Sequence, residues 1–384
     1  MARDLWARRS LFGDDHEDLR ASVRELLARA VVPYGEEWDS AGIIPRAPWL
    51  AAGELGLLGL ALEGDYAFRC VVIEECARVG ATSYSSGLTV HADIALPYVV
   101  DMATPAQRER WVPGLTSGEL IGAIAMTEPG TGSDLQGIRT SARRDGDGWV
   151  LNGAKTFITN GINSDVVVVV ARTDPSPEAG SRAFSLFVVE RGMAGFERGR
   201  NLDKVGLKAQ DTAELFFDEV RLTDEHVLGE VGDGFRQLMV HLPLERIGIA
   251  VTACAGARAA LSWTIDHVRE RTAFGRPIAG FQNTQFAIAE MATALDVAQA
   301  YVDQAVLRLD RGELTAVDAA QAKWWATEMH KDVVDRCVQL FGGYGYMVEY
   351  PIARAYLDTR VTTIYGGTTE IMKQIVARDV LGVR

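Results

Sequence analysis

The sequence predicts an α+β protein with an N-terminal helical domain, a middle β-barrel or sandwich domain and a C-terminal four-helix bundle. Apolar residues recur at helical spacing up to about residue 119 and again from about residue 232, and short β-branched runs separated by turn signals fill the stretch between them. With 384 residues, the chain exceeds the size at which one hydrophobic core usually stops growing. We therefore expect three domains, at residues 1–119, 120–231 and 232–384.

The first domain carries clear helix boundary signals. Helical spacing begins after Asp14, and Pro33 ends the first predicted helix because proline cannot continue a helical hydrogen-bond pattern. Thr104-Pro-Ala-Gln107 combines an N-cap hydroxyl, a proline at the first helical position and a capping-box partner. This combination predicts that a further helix begins at residue 105.

The middle domain reads as strands joined by tight turns. Val166 to Val170 and Phe184 to Val189 are short, β-branched apolar runs, which are typical of buried strands. Asp145-Gly-Asp-Gly148 and Asn152-Gly153 are both strong signals for hairpin turns. We therefore expect two hairpins close together in this domain.

The last domain is again helical. Helical periods cover Phe235 to Arg271, Thr284 to Leu309 and Ala316 to Phe341, with short connections between them. Long helices joined by short connections are typical of a bundle.

Charge and cysteine content exclude several classes of function. The chain has 52 acidic and 39 basic residues, a formal charge of −13, which repels the phosphate backbone of nucleic acids at long range. Its four cysteines form no C-x-x-C pair and have no histidine at a spacing typical of zinc sites. We expect neither a nucleic-acid partner nor a metal site.

We also expect no membrane span and a cytoplasmic location. The longest aliphatic run, Val166 to Ala171, is far shorter than the ~20 residues that a membrane helix needs. The first ten residues lack the apolar core of a secretory signal, and Asp14 and Asp15 argue against a transit peptide.

The stretch Met126-Thr-Glu-Pro-Gly-Thr-Gly-Ser-Asp134 follows an apolar run and replaces it abruptly with hydroxyls, glycines and acids. Gly132 lets backbone N–H groups approach a ligand, and Thr127 and Ser133 offer short hydroxyls. This composition suits a planar cofactor with polar edges. An ordinary β-turn loop remains an equally good interpretation of the pattern alone.

A second stretch, Lys155-Thr-Phe-Ile-Thr-Asn-Gly161, repeats this chemistry with an aromatic ring at Phe157 and a hydroxyl at Thr159. The dinucleotide fingerprint is absent, because Gly130-x-Gly132 lacks its third glycine, and there is no P-loop. A cofactor pocket here is therefore not a Rossmann crevice.

Two C-terminal stretches have chemistry that suits anions. Arg269-Glu-Arg-Thr-Ala-Phe-Gly-Arg-Pro277 concentrates guanidinium groups between two long helices, although a solvated turn would look the same. Ile364-Tyr-Gly-Gly-Thr-Thr-Glu-Ile-Met-Lys373 places glycines and hydroxyls before a helix, whose N-terminal N–H groups favour anions. Simple helix capping is the alternative explanation for the second stretch.

Five motifs in order resemble those of the flavin-dependent acyl-CoA dehydrogenases, and the resemblance covers essentially the whole chain. They are Met126 to Asp134, Lys155 to Asn160, Arg271-Thr-Ala-Phe-Gly275, Gln339-Leu-Phe-Gly-Gly343 and Ile364-Tyr-Gly-Gly-Thr368.

The resemblance implies a FAD cofactor and a residue set that binds it. The flavin ring would lie against Met126, Thr127, Gly132, Ser133, Phe157 and Thr159. The pyrophosphate and adenosine of a neighbouring subunit's FAD would lie against Arg271, Phe274, Gln282, Gln339 and Gly343, and Thr368 and Glu370 would hold the near end of the cofactor. A cofactor shared in this way makes an oligomer obligatory, and the family is usually a homotetramer.

The resemblance also implies α,β-dehydrogenation of a saturated acyl-CoA to the trans-2-enoyl product. A carboxylate takes the α proton, the β hydrogen leaves as hydride to flavin N5, and an electron-transfer flavoprotein receives the electrons. Many members carry the base where this chain has Gly366, which has no side chain to accept a proton. The long-chain and isovaleryl branches place it on the first long bundle helix, where this chain has Glu245.

Glu245 is therefore the expected base, and the Gly366 N–H is expected to stabilise the thioester oxyanion. An apolar setting would raise the carboxyl pKa towards neutrality, as a general base requires. The residues expected to contact substrate are Ser133, Leu242, Arg246, Tyr365 and Gly366.

Three other functions remain open at this point. The loop Ala61 to Asp65 is shorter than is usual in the family and borders the acyl region, which leaves room for a dehydrogenase acting on a carrier-protein thioester. An oxygen-using flavoprotein would share the fold. An inactive flavin- or acyl-CoA-binding scaffold would also explain the glycine at position 366.

Overall fold

A computed structural model of the chain describes residues 3–60, 62 and 64–383. The shortened loop therefore lies partly outside the described residues. The N-terminal helices are α1 (Asp14–Ala30), α2 (Gly35–Ala41), α3 (Ala47–Glu54), α4 (Ala67–Arg78), α5 (Thr82–Thr89), α6 (Leu96–Met102) and α7 (Pro105–Ser117).

The predicted capping box of α7 is confirmed, since the Gln107 N–H donates to Thr104 Oγ1 over 3.3 Å and the Thr104 N–H to Gln107 Oε1 over 2.8 Å.

Helices α5 and α6 are joined by a π-helical segment, Val90–Ala95. Pro97 lies two residues after this segment and has no N–H to donate to the carbonyl group four residues earlier, which weakens the regular α-helical pattern at this point. Such wide turns are frequent at functional sites. This one lines the cavity described below.

The middle domain is a mixed sheet of eight strands, β1 (Gly122–Ala125), β2 (Ser141–Asp145), β3 (Gly148–Thr159), β4 (Val166–Arg172), β5 (Phe184–Glu190), β6 (Phe196–Asn201), β7 (Thr212–Thr223) and β8 (Val227–Leu228). The strand order is β6-β7-β3-β2-β4-β5-β8, with β1 paired parallel to β4. The central strand β4 is buried on both faces, because alternate valines enter two different cores. Val167 and Val169 pack inside the domain, and Val166, Val168 and Val170 pack towards α6 and α7.

One of the two predicted hairpin turns is confirmed and the other is wrong. Asp145 pairs with Gly148 across the turn between β2 and β3. Asn152-Gly153 lies inside β3, where the pairing with β7 shifts register. Gly153 has a φ of 149°, and a Cβ there would lie 2.4 Å from Thr140 Oγ1, so a close approach of backbone and side chain requires this glycine.

The C-terminal domain is built around α8 (Gly234–Glu270), which packs against α4, α9 (Gln282–Asp310) and α10 (Ala316–Phe341). A short hairpin of β9 (Thr272–Ala273) and β10 (Arg276–Pro277) links α8 to α9, and α11 (Pro351–Thr359) and α12 (Thr369–Leu381) complete the domain. Among the described residues, α8 alone is long and apolar enough to span a membrane by composition, and 72% of its most apolar stretch is buried in the protein. Core packing thus accounts for its apolar character.

Candidate active site

A cavity lies between α8, the α5–π segment and the turn that precedes α12. Glu245 lines it from α8, and Tyr365 and Gly366 line it from the turn. The remainder of the lining is mainly apolar and hydroxyl side chains, among them Thr89, Ile94, Ile249 and Thr252. The cavity thus unites residues that are more than 100 positions apart in the sequence.

Glu245 is a buried carboxylate, with 5% of its surface exposed. Burial raises its pKa from the ordinary 4.5 to about 7, and the Tyr98 hydroxyl, His241 and Arg246 each offset part of that rise. The Tyr98 hydroxyl donates to Glu245 Oε1 over 3.1 Å. A carboxylate that ionises near neutrality is matched to general-base catalysis at physiological pH.

The turn opposite Glu245 has an unusual backbone conformation, with φ of 63° at Gly366 and 102° at Gly367. The Arg246 Nε–H donates to the Gly366 carbonyl oxygen over 3.3 Å, and Lys323 Nζ donates to the Gly367 carbonyl oxygen over 2.7 Å. Among the described residues, no hydrogen bond uses the Gly366 N–H. The carbonyl groups of Gly366 and Gly367 are therefore satisfied, whereas the Gly366 N–H, like those of Gly367 and Thr368, has no acceptor among the described residues.

A side chain at position 366 would not fit this arrangement. A Cβ on Gly366 would lie 2.3 Å from Cδ1 of Ile249, one helical turn after Glu245 on α8. The space for a base on the turn is therefore filled by α8, which supplies Glu245 to the cavity. A second carboxylate of the lining, Asp358 on α11, accepts a hydrogen bond from the Leu207 N–H over 2.6 Å.

The two predicted cofactor stretches of the middle domain lie side by side. The Thr156 N–H donates to the Thr127 carbonyl oxygen over 2.9 Å. Lys155 Nζ donates to the Met126 carbonyl oxygen over 3.0 Å and to Glu128 Oε1 over 2.9 Å. This buried ion pair fixes the loop that carries Thr127, Gly132 and Ser133 against the end of β3.

Phe157 is presented outwards by a bulge in β3. The pairing of β3 with β7 shifts between Lys155 and Ile158, and Phe157 has a φ of 60° and is 69% exposed. Bulges often re-aim a side chain beside an active site. The nearby Thr159 hydroxyl accepts a hydrogen bond from Gln210 Nε2 over 2.7 Å.

The predicted phosphate and adenosine residues form a separate cluster that does not line the Glu245 cavity. Arg271 and Gly343 line one groove with Tyr344, whose ring lies 5.6 Å from the Arg271 guanidinium carbon. Phe274 occupies the tip of the β9–β10 hairpin with a φ of 53° and is 95% exposed. Gln282 and Gln339 are also exposed.

Three further predicted residues lie at α8 and α12. Thr368 is the N-cap of α12 and accepts a hydrogen bond from the Ile371 N–H over 3.4 Å, and Glu370 is exposed in the first turn. Leu242 is buried beside Glu245 on α8 but is not part of the cavity lining.

Sequence reasoning missed Tyr98, whose hydroxyl contacts Glu245 from α6. It also missed Thr89, which lines the cavity beside the π-helical segment. The local signal was Pro97, because a proline disturbs a regular helix without indicating what the helix contacts.

A base that ionises near neutrality opposite a free N–H donor suits an enzyme that removes a proton beside a carbonyl group, because the donor stabilises the oxyanion that forms. Known proteins identify the particular family. Family models for acyl-CoA dehydrogenase match this chain over residues 13–119 (N-terminal domain), 123–220 (middle domain) and 232–381 (C-terminal domain). This chain therefore belongs to the acyl-CoA dehydrogenase family.

Individual relatives are similar over nearly the full length. The mitochondrial long-chain specific acyl-CoA dehydrogenase of Rattus norvegicus is 46% identical over 98% of this chain and 89% of its own. The crystal structure of an acyl-CoA dehydrogenase from Geobacillus kaustophilus is 44% identical, with a TM-score of 0.94 over 97% of this chain and all of its own. A glutaryl-CoA dehydrogenase from Mycobacterium smegmatis in complex with FADH2 is 28% identical, with a TM-score of 0.91 over 98% of this chain and 97% of its own.

Family membership confirms the predicted fold, reaction and cofactor. The protein is a FAD-dependent oxidoreductase of fatty acid metabolism that dehydrogenates the CH–CH bond of an acyl-CoA thioester. These findings do not favour the carrier-protein or the scaffold alternative.

Proposed function

We propose that this protein oxidises a saturated, long-chain acyl-CoA to its trans-2-enoyl-CoA, with Glu245 as the base that takes the α proton. The observation that carries this proposal is the pairing, in one cavity, of a buried Glu245 with the unused N–H of Gly366. When bound, FAD accepts the β hydrogen as hydride.

The two groups have complementary tasks. Ionised Glu245 removes the proton, and the negative charge that develops moves to the thioester oxygen. The Gly366 N–H is a fixed donor for that oxygen, and a fixed donor stabilises developing charge without having to reorganise. Arg246 and Lys323 hold the turn through its carbonyl groups, which keeps the N–H in place.

The extent of the cavity lining along α8 supports a long acyl chain. Along α8 the lining includes Glu245, Thr252, Ala259 and Trp263, which lie on one face of the helix. Glu245 and Trp263 are 18 positions apart on α8, which corresponds to about 27 Å at a rise of about 1.5 Å per residue. This length agrees with the long-chain specificity in the name of the Rattus norvegicus relative.

The middle-domain stretches support binding of the FAD ring. Phe157 offers an exposed aromatic face, and Thr127 and Ser133 offer hydroxyls that have no hydrogen-bond partner within the described part of the chain. Gln210 Nε2 donates to the Thr159 hydroxyl over 2.7 Å, which fixes that hydroxyl at the end of β3 beside Phe157. Met126 and Gly132 complete this proposed flavin site.

The C-terminal cluster supports a shared cofactor and a homotetramer. An aromatic ring that is 95% exposed, as Phe274 is, beside the exposed Arg271 is a surface that a neighbouring subunit and its FAD would cover. Gln282, Gln339 and Gly343 belong to the same proposed contact, and Thr368 and Glu370 to the near end of the cofactor. Measuring the mass of the FAD-loaded protein in solution tests the tetramer.

The remaining assignments follow from the same family reading. We expect an electron-transfer flavoprotein as the acceptor, domain units at 1–119, 120–231 and 232–384, and Leu242, Arg246 and Tyr365 beside the substrate. We also keep the cytoplasm as the expected compartment, which fractionation of the source cells would test, since the Rattus norvegicus relative is mitochondrial by name.

An anaerobic titration tests the proposed function. Saturated acyl-CoAs of increasing chain length are added to the FAD-loaded protein while the oxidised flavin absorbance is followed. Bleaching that is strongest with long chains supports the proposal. Absence of bleaching with every acyl-CoA would contradict it, and strongest bleaching with short chains would contradict the proposed substrate length.

A further inference from the structure

We propose that Tyr98, held by the ion pair of His241 and Asp101, is a positioning residue that keeps Glu245 ionised and its second carboxylate oxygen available to substrate. The inference rests on the proposed role of Glu245 as the base. Neither Tyr98 nor His241 lines the cavity, so both would act through Glu245 and not on the substrate.

The Tyr98 hydroxyl is placed to favour the ionised carboxylate. Tyr98 is fully buried on α6, and its hydroxyl donates to Glu245 Oε1 over 3.1 Å. Burial, followed by the nearby Glu245, raises the pKa of the Tyr98 phenol well above its ordinary range, so the phenol stays protonated and remains a donor. A donor to the charged form of an acid favours that form.

The same bond fixes which oxygen reaches the cavity. Within the part of the chain that the structure describes, the Tyr98 hydroxyl makes the one hydrogen bond to Glu245, and it is to Oε1. Oε2 is left without a protein partner there. A base whose orientation is set before substrate arrives does not have to be reoriented during proton transfer.

His241 lies behind Tyr98, and its hydrogen bonds indicate a protonated ring. Nε2 lies 2.9 Å from Asp101 Oδ2, and Nδ1 lies 3.0 Å from the Gln237 carbonyl oxygen. Both partners are acceptors, so both ring nitrogens must donate, which only the imidazolium can do. Burial lowers the His241 pKa, but the bonds to Asp101 and Gln237 outweigh it and the pKa is raised.

The imidazolium acts on Glu245 in two ways. Its ring stacks on the Tyr98 ring, with centroids 4.2 Å apart and an angle of 22° between the planes, which fixes the phenol. Its positive charge, one helical turn from Glu245 on α8, also favours the carboxylate. The other charged group that acts on Glu245 is Arg246 on the same helix, and it too favours ionisation.

A series of side-chain contacts, from Asp101 to His241, Tyr98 and Glu245, therefore links a surface carboxylate to the buried base. The Asp101 side chain is 61% exposed, whereas that of His241 is 6% exposed. A change at Asp101 thus alters the base through two intermediates and does not touch the cavity.

The test is the pH profile of flavin reduction by a saturated acyl-CoA in Tyr98→Phe, which removes only the hydroxyl. We expect its acid limb to move to higher pH by about one to two units, because a hydrogen bond to a charged group is lost. Asp101→Asn should move the limb in the same direction by a smaller amount. For both variants, the Kd of acyl-CoA and the FAD content should be unchanged.

A matched control is Asp266→Asn, which changes another exposed carboxylate associated with α8, 70% exposed and paired with Arg269. Its profile should match that of the unmodified protein. The inference is overturned if Tyr98→Phe lowers the melting temperature but leaves the acid limb in place, since that is the result of a purely structural role. Equal shifts in Asp101→Asn and Asp266→Asn would overturn the part assigned to His241.

Failure of this inference is distinguishable from failure of the proposed function. If Glu245→Gln still permits flavin reduction, Glu245 is not the base and the inference fails with it. If Glu245→Gln abolishes reduction while Tyr98→Phe keeps the original pH profile, the base is retained and only the positioning role is rejected.

Discussion

The raised pKa of Glu245 predicts that flavin reduction depends on pH around neutrality. Burial moves this pKa from 4.5 to about 7. With a base of that pKa, about one tenth of the carboxyl groups are ionised at pH 6 and about nine tenths at pH 8. The rate of reduction at pH 6 should therefore be about tenfold below its plateau.

Stopped-flow measurement of flavin bleaching, with saturating acyl-CoA between pH 5.5 and 9, gives this profile directly. A rate that is constant over the whole range, as expected if the acid limb lay near the ordinary carboxyl value of 4.5, would refute the reasoning that burial tunes the pKa of Glu245.

The same pKa predicts a pH-dependent effect on stability. Because the pKa of Glu245 is raised in the folded state, the fold tolerates the neutral carboxyl better than the charged form. The contribution of the neutral carboxyl to stability is complete below about pH 4.5 and is lost as the pH rises through about 7. The difference of 2.5 units between those two values corresponds to at most about 3 kcal/mol. Glu245→Gln should thus raise the melting temperature at pH 8 and change it little at pH 5. Glu270→Gln, which changes an exposed carboxylate, should change the melting temperature little at either pH. An equal effect of Glu245→Gln at both pH values would count against the linkage.

Three further substitutions test the surroundings of the site. Gly366→Ala should destabilise the protein by about 1–3 kcal/mol in thermal unfolding, because the new Cβ would lie 2.3 Å from the Ile249 side chain and the backbone there has a positive φ. The control Gly146→Ala also has a positive φ but nothing within 4 Å of its Cβ, so it should destabilise the protein less. Equal destabilisation by the two variants would contradict the steric argument. Phe157→Ala should weaken FAD binding in equilibrium dialysis. The melting temperature of the FAD-free variant should stay within about 2 °C of that of the unmodified protein, since the Phe157 ring is 69% exposed. Unchanged FAD affinity would show that Phe157 is not part of the flavin site. Lys155→Met should lower the free energy of unfolding in denaturant by about 3–5 kcal/mol, because it leaves Glu128 buried without its partner. The double variant Lys155→Met/Glu128→Gln should recover part of that loss. No recovery would show that loss of the ion pair is not the cause.

The general architecture was predictable because it depends on local patterns. Apolar periodicity distinguishes the helical ends from the β centre, and the cap at Thr104 and the turn at Asp145 to Gly148 are short-range signals that the structure confirms. Asn152-Gly153 carries an equally strong local signal, yet it lies within β3. Pairing with β7 and the close approach of Thr140 decide that position, and neither is visible in the local sequence.

The site was predictable only in part. The glycine at position 366 directed attention to Glu245, and the structure places both on one cavity. The contact of Tyr98 with Glu245 joins residues 147 positions apart through the packing of α6 on α8, so no motif or spacing indicates it. The outward orientation of the Phe157 side chain likewise depends on a register shift between β3 and β7, which the sequence of β3 does not reveal.

The central claim is that Glu245 is the base, and one measurement tests it most directly. Glu245→Gln and the control Glu270→Gln are each loaded with FAD and mixed anaerobically with a saturated long-chain acyl-CoA, and the oxidised flavin absorbance is followed. We expect Glu245→Gln to bind the acyl-CoA without bleaching, while Glu270→Gln bleaches as the unmodified protein does. Bleaching of Glu245→Gln at the unmodified rate would contradict the claim.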